Sequence, residues 1–163
     1  MAAFNVFLRK LSPLRWIRRH LVLKSRPLHN PAIVKMEKGA VVGVLVYGLS
    51  GEEVQSVRDS LEKSGLQGVL IAPTGLFEMK RYLESLSARE FDLMLDVSKG
   101  LPVFSREWVL HNVRVSLKVG NVSRQQWNQW SDGALALSDC PYDVFMEGAD
   151  IDQMLGYLKI ISK

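Results

Sequence analysis

The stretch Gly100-Leu-Pro-Val-Phe-Ser-Arg-Glu-Trp-Val-Leu110 decides how the rest of the chain is read. Glycine at position 100 is a stop signal for the element before it. Leu101 to Phe104 form a short apolar run rich in strand-formers. Ser105 then offers a side-chain oxygen to cap a helix carrying Trp108, Val109 and Val113. A buried strand turning directly into a helix with a large aromatic is the last quarter of a small α/β domain. The upstream residues are read as what that strand and Trp108 pack against.

Immediately before it, residues 88–99 predict a helix with Phe91, Met94 and Leu95 on its buried side. Asp92 and Asp96 then fall four apart on one helix face, a solvated stripe beside Arg89. Residues 79–83 fit a short strand or a helical turn. Val69-Leu-Ile71 is a strand closed by Pro73. Ala40 to Tyr47 is apolar on both strand faces, the pattern of a central strand covered on two sides. Ser50-Gly-Glu-Glu53 is a capping box, opening a helix marked by Val54, Val57 and Leu61 and ending at Gly65. The Trp108 helix runs to about Leu117. Strands separated by helices predict a small α/β domain over residues 39–118, with a four-stranded, mainly parallel sheet flanked by helices.

Residues 119–139 read as a linker, with Trp127 and Trp130 tucking it against the domain. Tyr142 to Met146 is strand-like, and Ile151, Met154, Leu155 and Leu158 lie at helical spacing. A strand and a helix alone cannot make a second core. The pair 140–163 therefore either docks on the first domain or begins another.

The chain has 163 residues and is 47% hydrophobic, enough for one ordinary domain with something left over. No apolar run approaches the roughly 20 residues a membrane helix needs. A single cysteine, Cys140, excludes an internal disulfide framework and any multi-cysteine metal site, and no residue nearby activates it. The net charge of +4 conceals a split: eight of the 21 bases and none of the 17 acids lie in the first 36 residues. The remainder is therefore net −4, and the basic character belongs to an arm. Residues 1–38, broken by Pro13, Pro27 and Pro31, read as a poorly ordered basic leader. Arg-rich and acid-free, it also suits a mitochondrial presequence or, with Trp16 among Arg15, Arg18 and Arg19, a weak nucleic-acid contact.

The residues so assembled resemble a BRCT domain, most nearly the tandem repeats of microcephalin and of the breast-cancer susceptibility family. The similarity covers about residues 40–118. It is carried by Val46-Tyr-Gly-Leu-Ser-Gly-Glu-Glu53 after the first strand, and by Gly100, an apolar strand, and Ser105-x-x-Trp108. Residues 140–163 are similar to the first strand and helix of a second repeat; the resemblance then implies an isoform, a fragment or a single-repeat protein. It also implies a phosphoserine-peptide pocket made of a hydroxyl residue, a glycine and a lysine, with an arginine opening the second helix. Those positions here are Tyr47, Gly48, Asp92 and Arg89. A bulky phenol and a carboxylate replace two phosphate donors, so the implied pocket is degraded.

Other residues carry weaker chemistry. Trp108 is a core residue. His111 reads as a satisfied, partly buried histidine, and His20 and His29 sit in the leader without Cys or Asp partners, so no metal site is expected. Ser105 has neither flanking glycines nor a base. The expectation is a non-enzymatic, cofactor-free protein–protein interaction module related to nuclear DNA-damage-response scaffolds, with protein or phosphoprotein partners. The rival is a mitochondrial structural or ribosome-associated protein whose residues 1–30 are a presequence.

Overall fold

The computed structural model describes residues 12–23, 26–72 and 76–162. Within them the elements in chain order are α1 (Pro13–Leu23), β1 (Val41–Leu45), α2 (Gly51–Lys63), β2 (Gln67–Ile71), α3 (Leu76–Ser87), β3 (Glu90–Asp96), α4 (Val103–Asn112), β4 (Arg114–Gly120), α5 (Arg124–Asp132), β5 (Val144–Phe145) and α6 (Ile151–Ile161). The five strands form one parallel sheet in the order β2-β1-β3-β4-β5. The sheet therefore has one strand more than expected, and its α/β, parallel, helix-flanked class is as expected. This order is that of flavodoxin-like doubly wound sheets, in which chain direction across the sheet reverses between β1 and β3.

Both faces of the sheet are covered. Val42, Val44, Leu93, Leu95, Leu117 and Val119 lie on one face under Val57 and Leu61 of α2 and Met154, Leu155 and Leu158 of α6. Leu45, Ile71 and Met94 lie on the other, under Leu83 and Leu86 of α3, Trp108 and Val109 of α4, and Trp127 of α5. A strand buried on both faces has no polar alternation, as the Ala40–Tyr47 reading supposed. The capping box is present: the Ser50 hydroxyl accepts from the Glu53 amide at 3.2 Å, and Glu53 accepts from the Ser50 amide at 2.8 Å.

Three segments differ from expectation for one shared reason, and in a fourth the structure settles an open alternative. The Phe91–Asp96 run is β3, not a helix, and Leu101–Phe104 is not a strand. The helix α4 starts at Val103, with Pro102 at the cap position and no side-chain capping bond, so Ser105 is a residue of the first turn rather than a cap. Residues 114–120, expected to be the end of that helix and the start of a linker, are β4. Residues 76–87 are a helix, the second of the two alternatives left open for residues 79–83. Every residue from Arg106 to Asn112 is buried, because α4 lies between the sheet on one side and α1 with the 134–138 loop on the other. A helix covered all round loses its 3.6-residue signature, and a short apolar run fits strand and helix equally well. Assigning 88–99 as a helix then displaced every element up to residue 120 by one place.

The expected leader and linker are also part of the fold. Val22 of α1 is fully buried, and the Asn112 side chain donates to its carbonyl at 2.7 Å. Ala32 N donates to Ser116 O at 3.0 Å, laying the 26–38 segment along β4. Residues 1–11 of the leader, and Pro73, lie outside the described residues. Within residues 119–139, Ser123 caps α5, and Trp127 is buried edge-on to both Trp130 and Tyr142. Residues 140–163 supply β5 to the edge of the same sheet and α6 to its face, instead of starting a second repeat. Docking wins because Ile151, Met154, Leu155 and Leu158 have an uncovered apolar sheet face to bury against. Among the described residues, no helix is long and apolar enough to cross a membrane.

Candidate functional site

In doubly wound sheets, ligands bind beyond the carboxyl ends of the strands, at the point where strand order reverses. Here that point lies between the loops after β1 and β3, and its central acid is Asp96, the last residue of β3. Asp96 is 1% exposed and accepts four hydrogen bonds. Ser98 donates to Oδ1 from its amide, at 3.0 Å, and from its hydroxyl. Oδ2 accepts from Arg106 at 2.5 Å and from the Tyr142 hydroxyl at 2.5 Å.

Arg106 is fastened equally well. Its Nε donates to Leu101 O at 3.0 Å, and its guanidinium lies over the Trp130 ring, 5.3 Å from the centroid. Burial works against its charge, but Asp96 and Tyr142 prevail and hold the guanidinium above its ordinary value. Burial, and next the Asp96 carboxylate, push the Tyr142 phenol far up, so it remains a donor. Tyr142 reaches Asp96 because Gly120 has no side chain: a Cβ there would stand 2.5 Å from two atoms of the Tyr142 ring.

The neighbouring crevice is closed by main chain. Lys99 N donates to Tyr47 O at 2.7 Å and Val97 N to Leu45 O at 3.1 Å, joining the two loops. Gly48 has φ +73°, and a Cβ there would lie 2.1 Å from Lys99 O. Lys99 pairs with Glu53 across the top, and that hydrogen bond lowers the Glu53 carboxyl below its ordinary value. A carboxylate whose acceptor positions are filled by protein donors, beneath a phenol lid, is a structural ion pair. It has no lone pair free to act as base, nucleophile or ligand.

The four pocket positions implied by the resemblance are not brought together. Tyr47 and Gly48 follow the carboxyl end of β1, whereas Arg89 and Asp92 lie at the amino end of β3. Register pairs Leu45 with Asp96, which puts Tyr47 beside Ser98, about 20 Å along the strand from Asp92. Asp92 accepts the Val41 amide at 2.8 Å, and Arg89 is exposed. The separation follows from reading β3 as a helix, which brought its first residues to the wrong end of the sheet.

Two polar clusters were not foreseen. His29 Nε2 lies 2.9 Å from both Asp143 carboxylate oxygens and Nδ1 3.2 Å from Val115 O. The expectation that His29 lacks an acidic partner is thus corrected; the partner is 114 positions away. In the second, Glu107 Oε1 accepts from the Leu137 amide at 2.7 Å and from the Ser138 amide and hydroxyl at 2.8 and 2.9 Å. Ser138 Oγ also lies 2.8 Å from His111 Nε2, an apparent serine–histidine pair. The proton count excludes that chemistry: the hydroxyl proton goes to Glu107, and Nε2 also faces Asp139 O, which only accepts. His111 is therefore the donor, not the base. Burial, then the Arg26 and Lys118 charges, lower it to about 4.

Trp108 is 7% exposed and packs on Phe104 with ring centroids 5.3 Å apart, as expected. Burial raises the Cys140 thiol, so no activated thiolate forms. Among the described residues, no three His, Cys, Asp or Glu side chains cluster as a metal site would require. Comparison of the chain with protein-family models, with curated proteins and with solved structures gives no match.

Proposed function

We propose that this protein is a non-enzymatic protein–protein interaction module, working in the nucleus among DNA-damage-response scaffolds. One observation carries the non-enzymatic part: the crevice where this sheet topology places ligands is filled by the Asp96–Arg106–Tyr142 network and the joined 46–50 and 97–101 loops. The BRCT resemblance enters the proposal only through the sequence around Trp108, a residue of the core, and the elements on either side of it differ from those the resemblance implies. With the four implied positions split between the two ends of the sheet, partner recognition does not use the family's phosphate pocket. It uses exposed side chains of the flanking helices, among them Trp16, 71% exposed on α1.

The rival mitochondrial reading needs residues 1–30 to be a removable presequence, with Arg15, Arg18 and Arg19 free to contact RNA. Burial of Val22 counts against removal. Arg15 donates to the Ala134 and Ala136 carbonyls, and Arg18 lies over the Phe104 ring. Truncation at residue 36 would strip Val22 from the core, so localisation is tested on the full chain carrying a C-terminal tag. In-cell crosslinking followed by mass spectrometry is expected to recover nuclear repair proteins. Import that depends on mitochondrial membrane potential, with crosslinks to the mitochondrial ribosome, would sink the proposal in favour of its rival.

A further inference from the structure

A cavity of about 190 Å³ lies between α1 and the loop after α5, lined by none of the residues of the Asp96 network. Arg15, Arg19 and Arg26 line one side of it. Arg15 and Arg19 lie four apart on one face of α1, and Arg26 follows beyond the end of that helix. Ser131, Ser138 and Asp139 stand opposite, and Leu137 is part of the apolar lining.

The charges there do not balance. Among the described residues Arg15 bonds only to the neutral carbonyls of Ala134 and Ala136, at 2.8 Å for the latter. Among the described residues Arg19 has no hydrogen-bond or ion-pair partner, and the first 36 residues contain no acid to supply one. Arg26 meets Asp139 at 3.9 Å, with the Asp139 side chain 92% exposed. Glu107, behind the Ser138 wall, spends Oε1 on the wall's own donors, while its buried Oε2 has no partner. Even with both acids counted, the cations outnumber them around a space too small for a nucleobase and its sugar. The positive potential also reaches His111, where Arg26 is second only to burial in disfavouring the imidazolium.

We propose that this cavity binds a phosphate monoester, its dianion held by Arg19 and Arg26 with Arg15 behind and the ester's organic part against Leu137. Guanidinium forks match phosphoryl oxygens in pairs, and Ser131 in the lining brings a hydroxyl donor. Asp139 is the opposing element at the rim, repelling the anion and sharing Arg26.

The test is titration of the isotope-labelled full chain with glycerol 3-phosphate, followed by amide and arginine side-chain NMR at low ionic strength. The expected result is saturable shifts at Ser131, Ser138, Arg19 and Arg26, absent with glycerol. Arg19→Gln and Arg26→Gln, both at exposed positions, each weaken binding about tenfold. Asp139→Asn strengthens it about threefold. A short phosphoserine peptide distinguishes the source: tighter binding than glycerol 3-phosphate identifies a phosphorylated protein, and equal or weaker binding a free ester. Non-saturating shifts, or unchanged affinity in folded Arg19→Gln and Arg26→Gln, would overturn the proposal.

Discussion

Lys118 offers a perturbation whose sign and size follow from its position. It lies on β4 opposite Met94, 3% exposed, and burial lowers its ammonium from 10.5 to about 8 despite the attraction of Asp143. Below pH 8 the amine is charged in both the folded and unfolded chain, and the folded state bears the burial penalty. Between pH 8 and 10.5 the unfolded chain holds the extra proton, so raising the pH favours folding. The window spans about 2.5 pH units, and at about 1.4 kcal/mol per unit the gain is about 3 kcal/mol. Cys140 and Tyr142, whose groups burial pushes up, act in the opposite direction at alkaline pH and hide part of that rise in the wild type. Lys118→Met isolates it. The variant should be more stable than wild type by up to about 3 kcal/mol at pH 7, with the advantage shrinking steadily and vanishing near pH 10.5. Urea denaturation across that range measures the difference directly. A difference that stays constant with pH, or a less stable variant at pH 7, would refute the burial argument.

Trp108→Ala should cost about 3–5 kcal/mol, enough to unfold much of the population in urea-free buffer by circular dichroism. Gly120→Ala should displace the Tyr142 ring and cost about 1–3 kcal/mol. Combined with Tyr142→Phe it should cost less than the sum of the two single changes, because both remove the same bond to Asp96; full additivity in denaturant melts would contradict the coupling. Burial raises the Glu107 carboxyl, so the folded state binds that proton more tightly and stability falls as pH rises from the ordinary carboxylate range through the raised value. Glu107→Gln keeps the Oε1 acceptor and should match wild type at acid pH while exceeding it at neutral pH, as thermal melts at the two pH values will tell.

The sheet's class was legible where a residue's own neighbours carry the information. Ser50 and Glu53 cap α2 because both partners lie within three positions, and the Ala40–Tyr47 run needs only its composition to declare a central strand. Trp108 was recognisable as core by size alone. The same reading failed over residues 88–120, where burial on every side removes the periodic signal that separates helix from strand. An apolar run that ends in Asp96 and is followed by a turn does point to the carboxyl end of a strand, and that signal was obscured once Asp92 and Asp96 were placed on a helix.

The sequence by itself determined that this chain makes a parallel α/β sheet, because alternating apolar runs and caps are local properties. Only the tertiary structure decided that Asp96 meets Arg106 and Tyr142, that His29 meets Asp143, and that Arg15, Arg19 and Arg26 surround one cavity. Those pairings join residues up to 121 positions apart, and their geometry is set by which strand lies beside which. The Gly100–Leu110 stretch shows the division: Trp108 is buried on either reading, but whether Leu101–Phe104 is strand or helix depends on what covers it.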